Sequence, residues 1–399
     1  MIKVDVSTHI KSLSQSATLF MAQKMGELVA KGIDVVNMSV GEPDFNTPDS
    51  IKEAGQNAIK DNWSKYSPVP GYMSLREAIC EKLKRENGLS YTPQEILVSN
   101  GAKQSICNTI LSLVSPGDEV IIPAPYYVSY PQMVNLAGGT SVFVNATIEQ
   151  GFRITPQQLE DAVSDKTKLI ILCSPCNPTG VVYTKQELDA LAEVIMRHDH
   201  ILVASDEIYE HINYVGGCPS IAAIPGMRER TVVVNGVSKS YAMTGWRIGF
   251  IAAPKWIVDA CNILQGQYTG NACSISQKAA EAAWTGDQSS VEEMRLVFQK
   301  RRDLTVSLVK DVPGLEVYEP EGAFYVFPRC SSFFGKSYNG RLIKSSFDLS
   351  MFLLEVGHVA TVGGDAFGAP DYLRLSYSTS EDRIKEGLKR IKETLALLN

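Results

Sequence analysis

The 399-residue chain is expected to fold as an α/β protein, a mostly parallel sheet covered by helices, joined to a second, smaller α+β lobe. Three observations predict it. Between residues 96 and 234, short apolar runs alternate with amphipathic stretches at helical spacing, the pattern of a parallel sheet covered on both faces. The length exceeds what one hydrophobic core normally supports, so a second unit is expected. Beyond about Gln277 the alternation gives way to a long charged helix and short scattered strands.

Taken in order, residues 1–16 are polar and irregular, and 18–31 read as a helix with Leu19, Ala22, Met25 and Leu28 on one side. A short apolar strand at 35–40 runs into Gly41-Glu-Pro-Asp-Phe-Asn-Thr-Pro48, where one Gly and two Pro forbid regular structure and expose backbone N–H groups. Helices follow at 50–61 and 74–87, separated by the punctuated loop Tyr66-Ser-Pro-Val-Pro-Gly71. Strands are then expected at 96–99, 119–123, 141–144, 168–173, 201–205 and 231–234, and helices between them at 103–114, 127–136, 156–163 and 185–196. The C-terminal part reads as a helix at 291–311, strands at 315–318, 323–327, 359–362 and 372–376, and a closing helix at 381–398. The absence of a flexible linker implies that the two lobes pack closely.

Composition narrows the function classes. Hydrophobic residues at 44% and charged residues at 21% are ordinary for a soluble globular enzyme. Lys+Arg 38 against Asp+Glu 44 leaves a net charge of −6, so nothing basic points to nucleic acid. No apolar stretch approaches the roughly 20 residues of a membrane span. The N-terminal MIKVDVSTHIKSLSQSA has no apolar core of a secretory signal, so a cytoplasmic location is expected. Eight cysteines are scattered without a dense framework, which fits a reducing compartment. Cys173-Ser-Pro-Cys176 has no second pair or nearby His to suggest zinc and does not open a helix as a redox pair would; it reads as structural, reduced cysteine, and no metal is expected.

In parallel sheets, ligands sit at the carboxyl ends of the strands, and the residues with chemical potential fall there. In NGVSKSYAMTGWRIG, from Asn235, Lys239 and Arg247 lie between two apolar runs. A lysine amine becomes nucleophilic toward a carbonyl when burial or cationic neighbours lower its pKa. Arginine's planar fork suits a phosphate. Both also read as solvated loop charges. Asp206 follows the apolar run ILVAS, where an unpaired carboxylate is costly; it needs a cation such as a protonated ring nitrogen, or it caps the following turn. Tyr209 and Asn177 can present polar groups to the same ligand. Gly101 and Ala102 open a helix, whose first N–H groups form an anion site. Lys103 in that first turn opposes the helix dipole by roughly 0.3–1 kcal/mol, so it points into water or meets an anion. Arg374, in Tyr372-Leu-Arg-Leu-Ser-Tyr377, alternates with leucines and reads equally as a site residue or a solvent-facing one.

Eight markers in chain order now carry a family resemblance: GEPDFNTP from Gly41, Tyr66 with its Pro-rich loop, NGAKQ from Asn100, PAPYYVSYP from Pro123, SPCNPTG from Ser174, SDEIYE from Ser205, VSKSYAMTGWRIG from Val237 and RLSYSTS from Arg374. Almost the whole chain resembles the class I and II aminotransferases, fold type I enzymes dependent on pyridoxal phosphate, and within them the bacterial aspartate aminotransferases. The resemblance implies a seven-stranded, mostly parallel sheet in a large domain at 46–284 and a small domain formed by 1–45 with 285–399. It implies a homodimer with shared active sites, and small-molecule amino acid and 2-oxo acid substrates. Lys239 is then the Schiff-base lysine and proton carrier. Asp206 pairs with the pyridine nitrogen, Tyr209 and Asn177 bond the phenolic oxygen, and Tyr127 stacks on the ring. Gly101, Ala102, Ser238 and Arg247 hold the phosphate, with Tyr66 reaching from the other subunit. Arg374 binds the substrate α-carboxylate, aided by Asn177 and the Gly41 backbone, while Lys103 and Thr18 meet the distal carboxylate.

The chain departs from the family pattern at three positions. Tyr127 stands where close relatives carry Trp, Cys176 replaces the Asn usual before NPTG, and Gly236 replaces a phosphate-binding Ser, which shifts the phosphate grip toward backbone groups and Ser238. Alternatives are transamination of alanine, aromatic amino acids or prephenate, or a lyase reaction at the same carbon. A non-catalytic cofactor-binding sensor needs an effector module that residues 1–40 are too short to supply. A dinucleotide dehydrogenase needs a GxGxxG that the first strand lacks.

Overall fold

The computed structural model describes residues 5–11 and 13–399. The expectation of irregular chain over 1–16 falls partly outside them; within them Thr8–Lys11 is a single helical turn. In chain order the strands are β1 (Val36–Asn37), β2 (Ile96–Ser99), β3 (Glu119–Ala124), β4 (Thr140–Asn145), β5 (Thr167–Cys173), β6 (Leu202–Asp206), β7 (Thr231–Gly236) and β8 (Gly249–Ala252). They continue with β9 (Tyr325–Val326), β10 (Ser337–Tyr338), β11 (Arg341–Leu342), β12 (Val359–Ala360), β13 (Val362–Gly363) and β14 (Leu373–Ser376).

Seven of these strands form one sheet in the order β2-β8-β7-β6-β5-β3-β4. β4 through β7 pair in parallel through β3, β5 and β6, and only β8 runs antiparallel to its neighbours β7 and β2. The central strands are buried on both faces: Leu169, Ile170, Val203, Ala204, Val232 and Val233 are fully enclosed, which is why they read as continuous apolar runs. The helices against them start where the sequence supplies caps. Thr184 accepts the Glu187 N–H at Lys185–Met196 and Glu187 reaches back, a capping box worth about 1 kcal/mol.

The smaller assemblies are a three-stranded antiparallel sheet β13-β14-β9, the parallel pair β1-β12 and the hairpin β10-β11. They pack with Ser289–Lys310, Ser346–Glu355 and Glu381–Leu395 around Phe298, Phe324, Phe352 and Leu353. In the last helix, Ile384, Leu388, Ile391 and Leu395 make the buried stripe that its 3.6-residue period dictates. No helix among the described residues is long and apolar enough to cross a membrane. All eight cysteines are free thiols.

Several elements differ from expectation. The stretch 315–318 is no strand: Glu316 makes a single bridge to Arg329, whose other side is taken by Tyr372, and Pro320 has no N–H to extend a ladder. The strand expected at 359–362 splits at Thr361, β12 joining β1 and β13 joining β14. The strand at 35–40 shrinks to β1, and past Met38 the Ser39 and Gly41 carbonyls accept side-chain donors. The helix expected from 127 starts at Tyr130, with Pro131 in its first turn, where a missing N–H costs nothing; Tyr127 is left on the loop. β8 and the helices Lys255–Tyr268, Ser274–Thr285 and Ser346–Glu355 are additional.

Candidate active site

The carboxyl ends of β2, β5, β6 and β7 point to one side, and β14 approaches them from the small sheet. Between them lies a cavity of about 310 Å3, within the range of about 300–1,000 Å3 usual for small-ligand sites. A hollow of about 670 Å3 adjoins it, and others of about 650 and 720 Å3 lie elsewhere, so volume does not mark the site; the charges enclosed there do. Every site residue expected from the sequence lines this cavity except Gly101 and Tyr66.

Lys239, three residues beyond β7, donates from Nζ to the Gly41 carbonyl at 2.5 Å. Burial pulls its amine down to about 8, with Arg247 and Arg374 adding to the effect and Glu42 opposing it. Opposite it, the last residue of β6, Asp206, is enclosed: Oδ2 accepts the Tyr130 hydroxyl at 2.6 Å and Oδ1 the Ile208 N–H at 3.3 Å. Burial raises its carboxyl above the usual range, and these hydrogen bonds hold it back. Asp206 therefore caps the following turn and faces the cavity at once. The Tyr209 hydroxyl lies 2.8 Å from that of Tyr325.

Arg374 is 1% exposed, which removes the solvent-facing reading. Its guanidinium sits over the rings of Tyr325 and Phe367, 4.5 and 5.0 Å from their centroids. Nη1 donates to Asn177 Oδ1 at 3.0 Å and Nη2 to the Ser39 carbonyl at 2.6 Å, while Nε is buried without a partner. At the other end, Arg247 has left-handed backbone (φ 58°) and donates to the carbonyls of Thr244 and Asn100 at 2.8 and 3.1 Å. Gly101, at φ 87°, lies directly under that guanidinium, where any Cβ would collide with it, and the helix Ala102–Leu113 opens beside it. Gly236 is equally constrained, since a Cβ there would meet the Ile248 carbonyl at 2.7 Å and Gly249 Cα at 2.8 Å. A serine does not fit in this chain.

Lys103 is exposed at the cavity mouth, its Nζ 5.9 Å from the centroid of the Tyr127 ring, and Thr18 Oγ1 is 2.8 Å from Ser16 Oγ. Among the described residues, no carboxylate forms an ion pair with Lys103, Lys239, Arg247 or Arg374. Four cations thus face one cavity whose only buried acid is Asp206, an arrangement that attracts anions. Tyr66 is 97% exposed and stands apart from the cavity.

Sequence reasoning missed Tyr130, Tyr325 and the Ser39 carbonyl. Tyr130 was within reach of it, being three residues after Tyr127 and so on the same side of a nascent helix. Tyr325 and Ser39 had no such signal, because their partners lie far away in the chain.

The chain matches the family model for aminotransferase class I and II over residues 33–391. It is 46% identical to a bifunctional aspartate aminotransferase and glutamate/aspartate-prephenate aminotransferase of Petunia hybrida, with 100% of this chain and 84% of that protein covered. A probable aspartate/prephenate aminotransferase of Rickettsia conorii is 46% identical, with 98% and 99% covered. Among solved structures, an aspartate aminotransferase from Rhizobium meliloti superimposes with a TM-score of 0.95 at 41% identity over 99% of this chain and 100% of that one. One from Thermus thermophilus with maleate gives 0.93 at 39% identity, covering 98% and 100%. With the match running from ahead of the first strand into the last helix, the chain belongs to the aminotransferase class I and II family.

Proposed function

We propose that the protein is a pyridoxal-phosphate-dependent aspartate aminotransferase, moving the amino group of L-aspartate or L-glutamate to 2-oxoglutarate or oxaloacetate in a ping-pong cycle. The observation that carries this is the trio of Lys239, Asp206 and Arg374 around one cavity, the first part-buried and the other two buried, each charged group lacking an opposite charge within pairing distance. A phosphorylated pyridine aldehyde suits the donor set: Arg247, Ser238, Gly101 and Ala102 offer cationic, hydroxyl and helix-terminal groups to a phosphate, and Asp206 offers an enclosed carboxylate to a ring N–H. The unpartnered Nε of Arg374 suits a substrate carboxylate taken by the guanidinium fork. When bound, the cofactor supplies an aldehyde for amines to condense with and a protonated ring that withdraws electrons from the substrate's α-carbon.

The residues divide the remaining work. Asp206, oriented by the Tyr130 hydroxyl, keeps the ring nitrogen protonated, and Tyr209 and Asn177 hold the phenolic oxygen. Lys239, with an amine near 8, is a base close to neutral pH; with the cofactor bound it would take the substrate's α-proton and deliver it to the cofactor's aldehyde carbon. Arg374 orients the α-carboxylate with help from Asn177 and the Gly41 backbone. Lys103 and Thr18 meet the distal carboxylate, and Tyr127 stacks on the cofactor ring. The Thermus relative was solved with maleate, a dicarboxylate, which supports a second anionic subsite.

Tyr66 serves the cavity of a second copy in a homodimer, a role its exposure supports. Residues 46–284 act as one body and 1–45 with 285–399 as the other, supported by the pairing of β1 with β12. The names of the Petunia and Rickettsia relatives favour prephenate as a second acceptor. A hollow of about 670 Å3 shares Lys103 and Ser16 with the cavity, which offers room for a ring.

The test follows the visible absorbance of the cofactor-loaded protein as aspartate, glutamate, alanine and phenylalanine are added singly. Aspartate and glutamate are expected to change it at the lowest concentrations. No response to any amino acid overturns the aminotransferase reading; a preference for alanine or phenylalanine overturns only the choice of a dicarboxylic substrate.

A further inference from the structure

The turn after β6 has two sides. Asp206 and Tyr209 line the cavity, whereas Glu210 and His211 enter a polar network behind it. His211 Nδ1 is 2.9 Å from Ser240 Oγ, and its Nε2 is 2.9 Å from Glu86 Oε2. Ser240 directly follows Lys239 and is buried; Glu86 lies in the last turn of the helix Met73–Asn87. The imidazole is a strut from that helix to the lysine loop.

The groups facing it come from three elements. Glu210 Oε1 is 3.8 Å from Nδ1. Lys82 Nζ is 3.5 Å from Glu86 and bonds Glu210, and Arg85 bonds Glu86 at 2.5 Å. Asn235 Nδ2 donates to Glu210 at 2.7 Å, and the Gly236 N–H donates to Asn235 Oδ1 at 2.7 Å. The loop carrying Lys239 is therefore tied to one network both before the lysine, through Asn235, and after it, through Ser240.

Two other readings fail on the same geometry. A Ser–His–Glu chain suggests a nucleophile, but Ser240 is too enclosed for a substrate to reach. Glu86, Glu210 and His211 bring ligand atoms within 4.8 Å of one another, but the Lys82 ammonium already lies against both carboxylates, where a metal ion would bind.

We infer that His211 is a positioning residue for Lys239, holding Ser240 and so fixing the lysine main chain relative to Asp206 and Tyr209. The inference rests on the aminotransferase reading above. Its physical basis is that the Asp206, Tyr209 and His211 backbone is one short turn, so the bond from His211 to Ser240 joins the two loops whose separation sets the reach of Nζ. A displacement of about 1 Å at a reacting group can cost about 10²-fold in rate.

The experiment compares cofactor-loaded His211→Asn, His211→Gln and Ser240→Ala with the unaltered protein, reading kcat, KM and the pH midpoint of the cofactor's visible absorbance. An Asn amide reaches the place of Nδ1 and can keep the bond to Ser240, whereas a Gln amide reaches the place of Nε2 and keeps only Glu86. His211→Asn is expected to retain kcat within about threefold. His211→Gln and Ser240→Ala are expected to lose about ten- to a hundredfold in kcat, with little change in KM, and to shift the absorbance midpoint. Combining the latter two should add nothing further, as residues acting through one bond are not additive. Asn and Gln variants that behave alike, or a Ser240→Ala protein with unaltered kcat and midpoint, overturn the inference. Should the unaltered protein show no Lys239-dependent absorbance, the functional reading itself falls, and the inference with it. Melting temperatures of all variants separate these outcomes from misfolding, and the Asn–Gln contrast stands without the alanine variant.

Discussion

On the cavity side of the turn after β6, charges stand without opposite partners; behind it, Lys82, Glu86, Glu210 and Arg85 are matched with one another, and Glu207 alone of the buried acids there has only hydroxyl partners. Lys239 donates only to a backbone carbonyl and Asp206 accepts only from a hydroxyl and an N–H. Lys82, 1% exposed in its side chain, meets Glu86, Glu210 and Asn87, and Glu210 also accepts from Asn87 and Asn235. Burying an unmatched charge is costly, and burying a matched one roughly breaks even. The difference teaches where each side draws its stabilisation. The rear network is complete within the chain, whereas the cavity side is completed by what binds there.

Apart from the His211–Ser240 bond, which joins the two sides, substitutions of their buried charges should therefore move different observables. Lys239→Ala is expected to lower the transamination rate by at least about 10⁴-fold while leaving the cofactor-free protein as stable or more so. The sign follows from linkage. An amine lowered from 10.5 to about 8 holds fewer protons folded than unfolded, so its penalty is full below pH 8 and vanishes as pH rises toward 10.5. The stability gain of the variant should be seen at pH 7 and be absent above pH 10.5; initial rates and denaturant midpoints check both parts. A loss of stability at pH 7 would break the comparison.

Lys82→Met, on the rear side, leaves Glu210 buried without its cation. It should cost about 3–5 kcal/mol of stability and far less in kcat for the protein that remains folded, measured by urea unfolding and by rates at low temperature. Equal damage to kcat and stability would mean that the two sides are not separable.

Glu207→Gln has the smallest expected effect. Burial lifts this carboxyl to about 7, although its Oε1 accepts from Ser205 and Ser220 at 2.8 and 2.6 Å. A raised carboxyl holds more protons folded than unfolded, so stability is present below pH 4.5 and lost as pH rises through 7. Gln keeps the accepting oxygen without the charge. The variant should gain about 2–3 kcal/mol at pH 8 and nothing at pH 4, read from paired melting curves.

How far the sequence exposed these two sides differs in the same way. The strand–helix alternation and the strand-end positions of Lys239, Asp206 and Asn177 were legible, because each depends on local pattern and on the rule that ligands meet parallel strands at their carboxyl ends. Lys82, Glu86 and Asn87 carried no signal beyond that of polar residues in the helix expected at 74–87, since their partners Glu210 and His211 are brought to them only by the fold. The helix Lys255–Tyr268 went unread because it starts after Pro254 with no side-chain cap and no acid in its first turn. The burial of Arg374 was undecidable from β14 alone; the rings of Tyr325 and Phe367 decide it.

The bonds of Arg374 to Ser39 and Asn177 have a consequence for synthesis on the ribosome. Asn177 and Ser39 precede Arg374 by 197 and 335 residues, and the seven strands of the large sheet, Asp206 and Lys239 all lie before it, so its guanidinium is the last of the cavity's charges to be supplied as the chain is made. Under the proposed function, a chain ending before β14 would hold the amine of Lys239 and lack the one group assigned to grip the α-carboxylate through a guanidinium fork.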